Sequence, residues 1–99
     1  MSKRLKILAV CGFGVGTSLI LKMNIEKTLK ELGVEADVEN IDVTTAIGTQ
    51  ADFILTSNEL APLLQGKFNI PIAVVTNFMS LAEIKEKCLE CIEKLNSKN

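Results

Sequence analysis

The sequence predicts a three-layer α/β fold, with helices on both faces of a four-stranded parallel sheet in the order 2-1-3-4. Three observations predict it. Four short candidate strands are spaced as β-α-β-β completed by α-β-α, the alternation with helices that implies a parallel sheet with right-handed crossovers. The first run, Leu5 to Val10, is apolar at nearly consecutive positions, as expected for a strand covered on both sides. The second, Val34 to Asn40, sets Val34, Ala36 and Val38 against Glu35, Asp37 and Glu39, so one face is wet and the strand belongs at an edge. The chain reversal then falls between strands one and three, at the C-terminal end of strand one, where open α/β sheets bind ligands.

The elements follow in order. After Gly16-Thr17 the period becomes helical, with Leu21, Ile25, Leu29 and Leu32 forming one stripe and Lys22, Glu26, Lys27, Lys30 and Glu31 lying off it. Gly33 stops this helix as the residue after its C-cap, with Val34 placed for the hydrophobic contact of a Schellman ending. Residues 41–51 are polar and threonine-rich, a loop with room for one helical turn. Phe53 to Thr56 forms the third strand, and Ser57-Asn58 can cap a short helix through Leu64. Residues 66–71 turn the chain into a fourth strand, Ile72 to Thr76. Ser80 and Glu83 have the spacing of a capping box that opens a last helix, whose inner stripe is Leu81, Ile84, Cys88, Cys91/Ile92 and Leu95.

Composition narrows the chemistry. At 99 residues, 47% apolar and 23% charged, the chain suits one globular domain over residues 1–99. A net charge of −1 offers no electrostatic case for nucleic acid or an anionic membrane. The absence of histidine excludes His-based triads, zinc sites and phosphohistidine carriers within the chain, and Arg4 is the one arginine. Three cysteines, an odd number, point to free thiols in a reducing compartment. A basic start before apolar residues and Cys11 has the outline of a lipoprotein signal, but the uninterrupted apolar run is only Ile7 to Val10, too short for one. No stretch reaches membrane-spanning length. Cys88 and Cys91 fall on the inner stripe of the last helix and lack further metal ligands, so they read as core, and no cofactor is implied.

The segment Cys11, Gly12, Phe13, Gly14, Val15, Gly16, Thr17, Ser18 carries the chemistry. Alternate glycines allow a tight turn that points several N–H groups inward, and the following helix adds its unpaired first-turn donors and dipole. The sum is an anion cradle, with Thr17 and Ser18 as hydroxyl donors or N-cap. A thiol at its rim is expected to have a lowered pKa and to act as a nucleophile. A nucleotide P-loop fails, because no lysine lies between Lys6 and Lys22. A dinucleotide loop would have its third glycine one place early, although Glu39 or Asp42 could stand in for the ribose-binding acid. A thioredoxin-like motif fails because residue 14 is glycine. A cysteine phosphatase needs an arginine six residues after its thiol, where this chain has Thr17, and no carboxylate lies between Cys11 and Lys22. A loop that accepts a phosphoryl group without those parts should hold it, as a carrier does. The phosphatase and nucleotide-module readings stay open at this point, as does Cys11 as a small buried residue at a turn.

Residues 7–23, ILAVCGFGVGTSLILKM, resemble the phosphorylation-site region of enzyme IIB components of the bacterial phosphoenolpyruvate:sugar phosphotransferase system (PTS). The nearer likeness is to the ascorbate-specific type within the lactose/galactitol/ascorbate-like group. It extends through DFILTS (52–57), VTNFMS (75–80) and the last helix, and so covers essentially the whole chain. The resemblance implies a Rossmann-like, phosphatase-loop-like fold. It implies that Cys11 takes a phosphoryl group from a phosphohistidine of a IIA partner, holds it on the backbone N–H groups of residues 12–18, and passes it to a sugar bound by a membrane IIC permease. For the ascorbate type that product is L-ascorbate 6-phosphate. The implied location is cytoplasmic, at the inner face of the membrane through IIC. Phe13 and Val15 occupy positions the pattern leaves open and bear on partner or substrate type. Asp42 to Thr49, Ser57-Asn58 and Asn77 to Ser80, near the same sheet end, are candidate partner contacts.

Overall fold

The computed structural model describes residues 4–10 and 15–97. In chain order the elements are β1 (Leu5–Val10), α1 (Val15–Glu31), β2 (Ala36–Ile41), α2 (Val43–Ile47), β3 (Phe53–Thr56), α3 (Ala61–Leu64), β4 (Ile72–Val74) and α4 (Leu81–Ser97). All strand pairs are parallel and the order is β2-β1-β3-β4, as the sequence predicts. β1 is central because it is apolar on both sides. Its odd positions Ile7 and Ala9 join Phe53 and Leu55 under α1 and α4, while Leu8, Val10 and Ile54 face Ala46, Leu60 and Leu64 of the α2–α3 side. Each fully buried Leu or Ile contributes about 1.5–3 kcal/mol relative to exposure. The two cores share β1 and β3, so the layers stand together.

β2 sits at the edge and wears its charges outward. Arg4 pairs with Asp37 at 2.9 Å, and Lys6 with Glu39 at 2.6 Å. At the other end of the β1–β3 ladder, the Lys6 N–H donates to the Asp52 carboxylate and the Asp52 N–H to the Lys6 carbonyl, both at 2.7 Å.

The helix ends show where local chemistry decided and where it did not. α1 closes as expected. Gly33 adopts φ +74°, its N–H donates to the Lys30 carbonyl and the Val34 N–H to the Leu29 carbonyl, the two bonds of a Schellman motif. Its start differs, because the helix is already formed at Val15. Thr17 and Ser18 therefore lie inside the first turn rather than at the N-cap. The polar stretch 41–51 contains α2, capped by Asp42, whose carboxylate accepts from the Thr45 hydroxyl at 2.5 Å.

Three further expectations are corrected. α3 is not capped by the side chains of Ser57 or Asn58. The Ser57 carbonyl takes the N–H groups of Leu60 and Ala61, and the helix begins at Ala61 with Pro62 in its first turn, where the missing donor costs nothing. β4 ends at Val74 rather than Thr76. Val75 makes one more bond to the Thr56 carbonyl, but the Thr76 N–H turns away to the Glu83 carboxylate. Leu81 is 39% exposed rather than on the inner stripe, which begins at Ile84. Ile84, Cys88 and Cys91 are buried as expected, with Ile92 and Leu95 packed against them.

Candidate functional site at the C-terminal end of the sheet

β1 ends at Val10, whose neighbours across the sheet are Ile41 of β2 and Thr56 of β3. After four residues the chain re-enters regular structure as α1. A parallel strand followed so soon by a 17-residue helix brings the N-terminus of that helix, with its unpaired N–H groups and positive dipole end, to the carboxyl edge of the sheet. The chemistry of this end therefore favours an anion.

Cys11, Gly12, Phe13 and Gly14 lie outside the described residues. Val15, Gly16, Thr17 and Ser18 form the first turn of α1, which supplies backbone donors from the C-terminal half of the predicted cradle. Around them the structure adds Thr56 and Asn24, to which the sequence reading gave no role, and new partners for the segment Asn77 to Ser80 and for Glu83. Thr56 is fully buried at the end of β3, and its hydroxyl donates to the Val10 carbonyl at 2.8 Å. The segment after β4 is held from three directions. The Glu83 carboxylate accepts from the Thr76 N–H, the Thr76 hydroxyl and the Asn77 N–H at 2.8–2.9 Å. The Asn77 side chain accepts from the Met79 N–H, and the Asn24 amide of α1 donates to the Phe78 carbonyl at 2.6 Å. Donors from Thr76 and Asn77 hold the Glu83 carboxyl below the usual carboxylate range. Glu83 thus acts on the loop before α4 instead of closing a capping box. Only the Ser80 half of that box is made, its hydroxyl accepting from the Glu83 N–H at 3.2 Å. The one sequence signal for Thr56 was a lone hydroxyl closing an otherwise apolar strand. Asn24 carried none.

The acids considered for a nucleotide ribose are engaged elsewhere. Glu39 pairs with Lys6, and Asp42 caps α2, where the Thr45 hydroxyl holds its carboxyl below the usual range. The remaining thiols are set apart from any site. Burial pushes Cys88 up to about 12 and Cys91 to about 11, so both stay protonated and weakly nucleophilic at neutral pH. Among the described residues no cluster of three or more His, Cys, Asp or Glu could hold a metal, and no helix is long and apolar enough to cross a membrane.

Comparison with known proteins agrees with this geometry. Residues 6–89 match the family model described as the PTS system, lactose/cellobiose-specific IIB subunit. An ascorbate-specific PTS system EIIB component of Mycoplasma pneumoniae is 38% identical over 87 residues, covering 86% of this chain and 92% of the relative. The component of the same name in Salmonella typhimurium is 32% identical over 91 residues, covering 90% of each chain. The solved lactose-specific IIB domain of Streptococcus pneumoniae superposes with a TM-score of 0.69 over 90% of this chain and 98% of its own, at 17% identity, which shows a shared fold. A parallel sheet of order 2-1-3-4 with an anion-favouring helix start, matched over most of its length in this way, identifies the chain as a member of the PTS IIB family, phosphotransferase components that work with IIA and IIC partners.

Proposed function

We propose that this IIB component carries its phosphoryl group on Cys11 and that the backbone N–H groups of Gly12, Phe13, Gly14, Val15, Gly16, Thr17 and Ser18 hold it. The observation that carries the reading is the position of residue 11, directly after β1 and four residues before the N-terminus of α1. In the first transfer the Cys11 thiolate attacks phosphorus in line. An S–P bond forms, the N–P bond of the donor phosphohistidine breaks, and the imidazole nitrogen keeps the electron pair. In the second, a sugar hydroxyl attacks the same phosphorus, the O–P bond forms as its proton departs, and the thiolate leaves with the S–P electrons. Positioning and donors to the equatorial oxygens supply most of the catalysis in such transfers. The chain has no histidine, so the donor imidazole belongs to the IIA partner.

Both transfers need docking at this end of the molecule. Leu19, Ile20 and Met23 on α1 and Met79 before α4 leave 41–69% of their surfaces exposed. The Asn24–Phe78 bond ties α1 to the segment bearing Met79, so these apolar groups form a face suited to the IIA and IIC partners. The acceptor is L-ascorbate, a reading that rests on the ascorbate-specific names of the sequence relatives, and the working location is the cytoplasmic face of the membrane beside IIC.

The test is intact-mass analysis after incubation with phosphoenolpyruvate, the general phosphotransferase proteins and the IIA partner. One phosphate on the wild type and none on Cys11→Ser is expected, and an equal adduct on both proteins removes Cys11 from the role. Vesicles bearing the IIC partner then decide the sugar. L-ascorbate should discharge the phosphoprotein, and discharge by lactose or cellobiose instead would overturn the assignment.

A further inference from the structure

The last residue of β3 is the one fully buried threonine among the described residues, closing a strand otherwise made of Phe53, Ile54 and Leu55. Packing alone does not call for a hydroxyl there. Valine has the same branching and nearly the same volume, suits a strand at least as well, and brings no polar group that must be satisfied in the core. The hydroxyl is used, donating to the Val10 carbonyl at 2.8 Å across 46 residues of sequence. The β1–β3 ladder ends at this pair, so Val10 is the last residue of β1 held by the sheet on that side. Its carbonyl is half of the planar peptide unit that joins β1 to residue 11. Holding the oxygen holds the plane in which the chain leaves the strand.

We propose that Thr56 is a positioning residue for phosphoryl transfer: its hydroxyl, through the Val10 carbonyl, sets the direction in which the chain leaves β1 toward Cys11. The inference rests on the reading of Cys11 as phosphoryl acceptor. It adds a residue that touches neither phosphate nor partner. In-line transfer is sensitive to small displacements of the attacking atom, so loosening this peptide plane slows the reaction while leaving the fold in place.

Two variants separate positioning from packing. Thr56→Val keeps the branching and removes the donor, whereas Thr56→Ser keeps the donor and removes a buried methyl. Single-turnover phosphorylation by the phosphorylated IIA partner is measured well below the melting temperature of each protein. Positioning predicts a transfer rate lowered about tenfold or more in Thr56→Val and largely retained in Thr56→Ser, whichever variant melts lower. A Thr56→Ser rate lowered as far as that of Thr56→Val, or a Thr56→Val rate equal to wild type, overturns the proposal. Alkylation of Cys11 against pH, read by peptide mass mapping, supplies an independent arm. Its midpoint should move upward in Thr56→Val and not in Thr56→Ser, and coincident midpoints in all three proteins count against Thr56. A wild type that takes no phosphate removes the functional reading instead, and the alkylation arm still decides whether Thr56 positions the thiol.

Discussion

At the scale of single residues, the three cysteines divide by environment. Cys88 and Cys91 are buried beneath α4, and the cost of placing a thiolate there raises both pKa values, to about 12 and about 11. A small alkylating reagent at pH 8 is therefore expected to leave both unmodified in the folded protein and to modify both in urea, as peptide mapping would show. Modification of either thiol at native rates matching those in urea would contradict their burial. Because the folded pKa values lie above the ordinary thiol value, these residues favour folding fully at neutral pH. That contribution declines as pH rises above the unfolded thiol pKa of about 8.5, at up to about 1.4 kcal/mol per pH unit for each thiol. Urea midpoints should fall between pH 8 and pH 10, and the slope should flatten in Cys88→Ala/Cys91→Ala. An unchanged slope would mean that other groups cause the loss.

At the scale of elements, the segment between β4 and α4 depends on one carboxylate. Glu83 accepts two backbone N–H groups and a hydroxyl from Thr76 and Asn77, while Asn24 reaches the same segment from α1. Glu83→Ala is expected to cost about 1 kcal/mol or slightly more through the lost bonds, and to speed amide exchange at Thr76 and Asn77 selectively. Uniform acceleration across the sheet would show that Glu83 instead supports the whole fold. The bonded carboxyl titrates below its ordinary value, so its contribution is present above the unfolded carboxyl pKa of about 4.3 and is lost as pH falls through the folded value. Exchange at the two amides should therefore rise between pH 5 and pH 3 more than acid catalysis and base catalysis account for in a matched peptide. The Ser80–Glu83 spacing was readable as a capping box because such a box is local. The strand end above it offered the carboxylate three donors, and those won.

For the whole molecule, the arrangement of two cores about one shared sheet has a thermodynamic consequence. Leu64 and Ile84 lie in opposite layers, and truncation of either to alanine is expected to cost about 2–5 kcal/mol. The two losses should add within about 0.5 kcal/mol, and unfolding should stay a single transition, because β1 and β3 belong to both layers. Two separated transitions in calorimetry would show that the layers unfold independently. The fold class, the strand order, the bounds of β1 and β3 and the end of α1 were legible from the sequence because periodicity and helix endings act within a few residues. Leu5–Val10 and Val34–Asn40 differ in how many faces are apolar, and that difference alone places one inside the sheet and the other at its edge. The glycine-rich pattern after β1 is what directs the phosphate proposal to this end of the molecule. What only the tertiary structure decided are the long-range partnerships, such as Thr56 with Val10 and Asn24 with Phe78, separated by 46 and 54 residues. A sequence shows that a hydroxyl or an amide is available, but the backbone group it meets is set by strand register and helix packing. Those are properties of the assembled sheet and not of any segment.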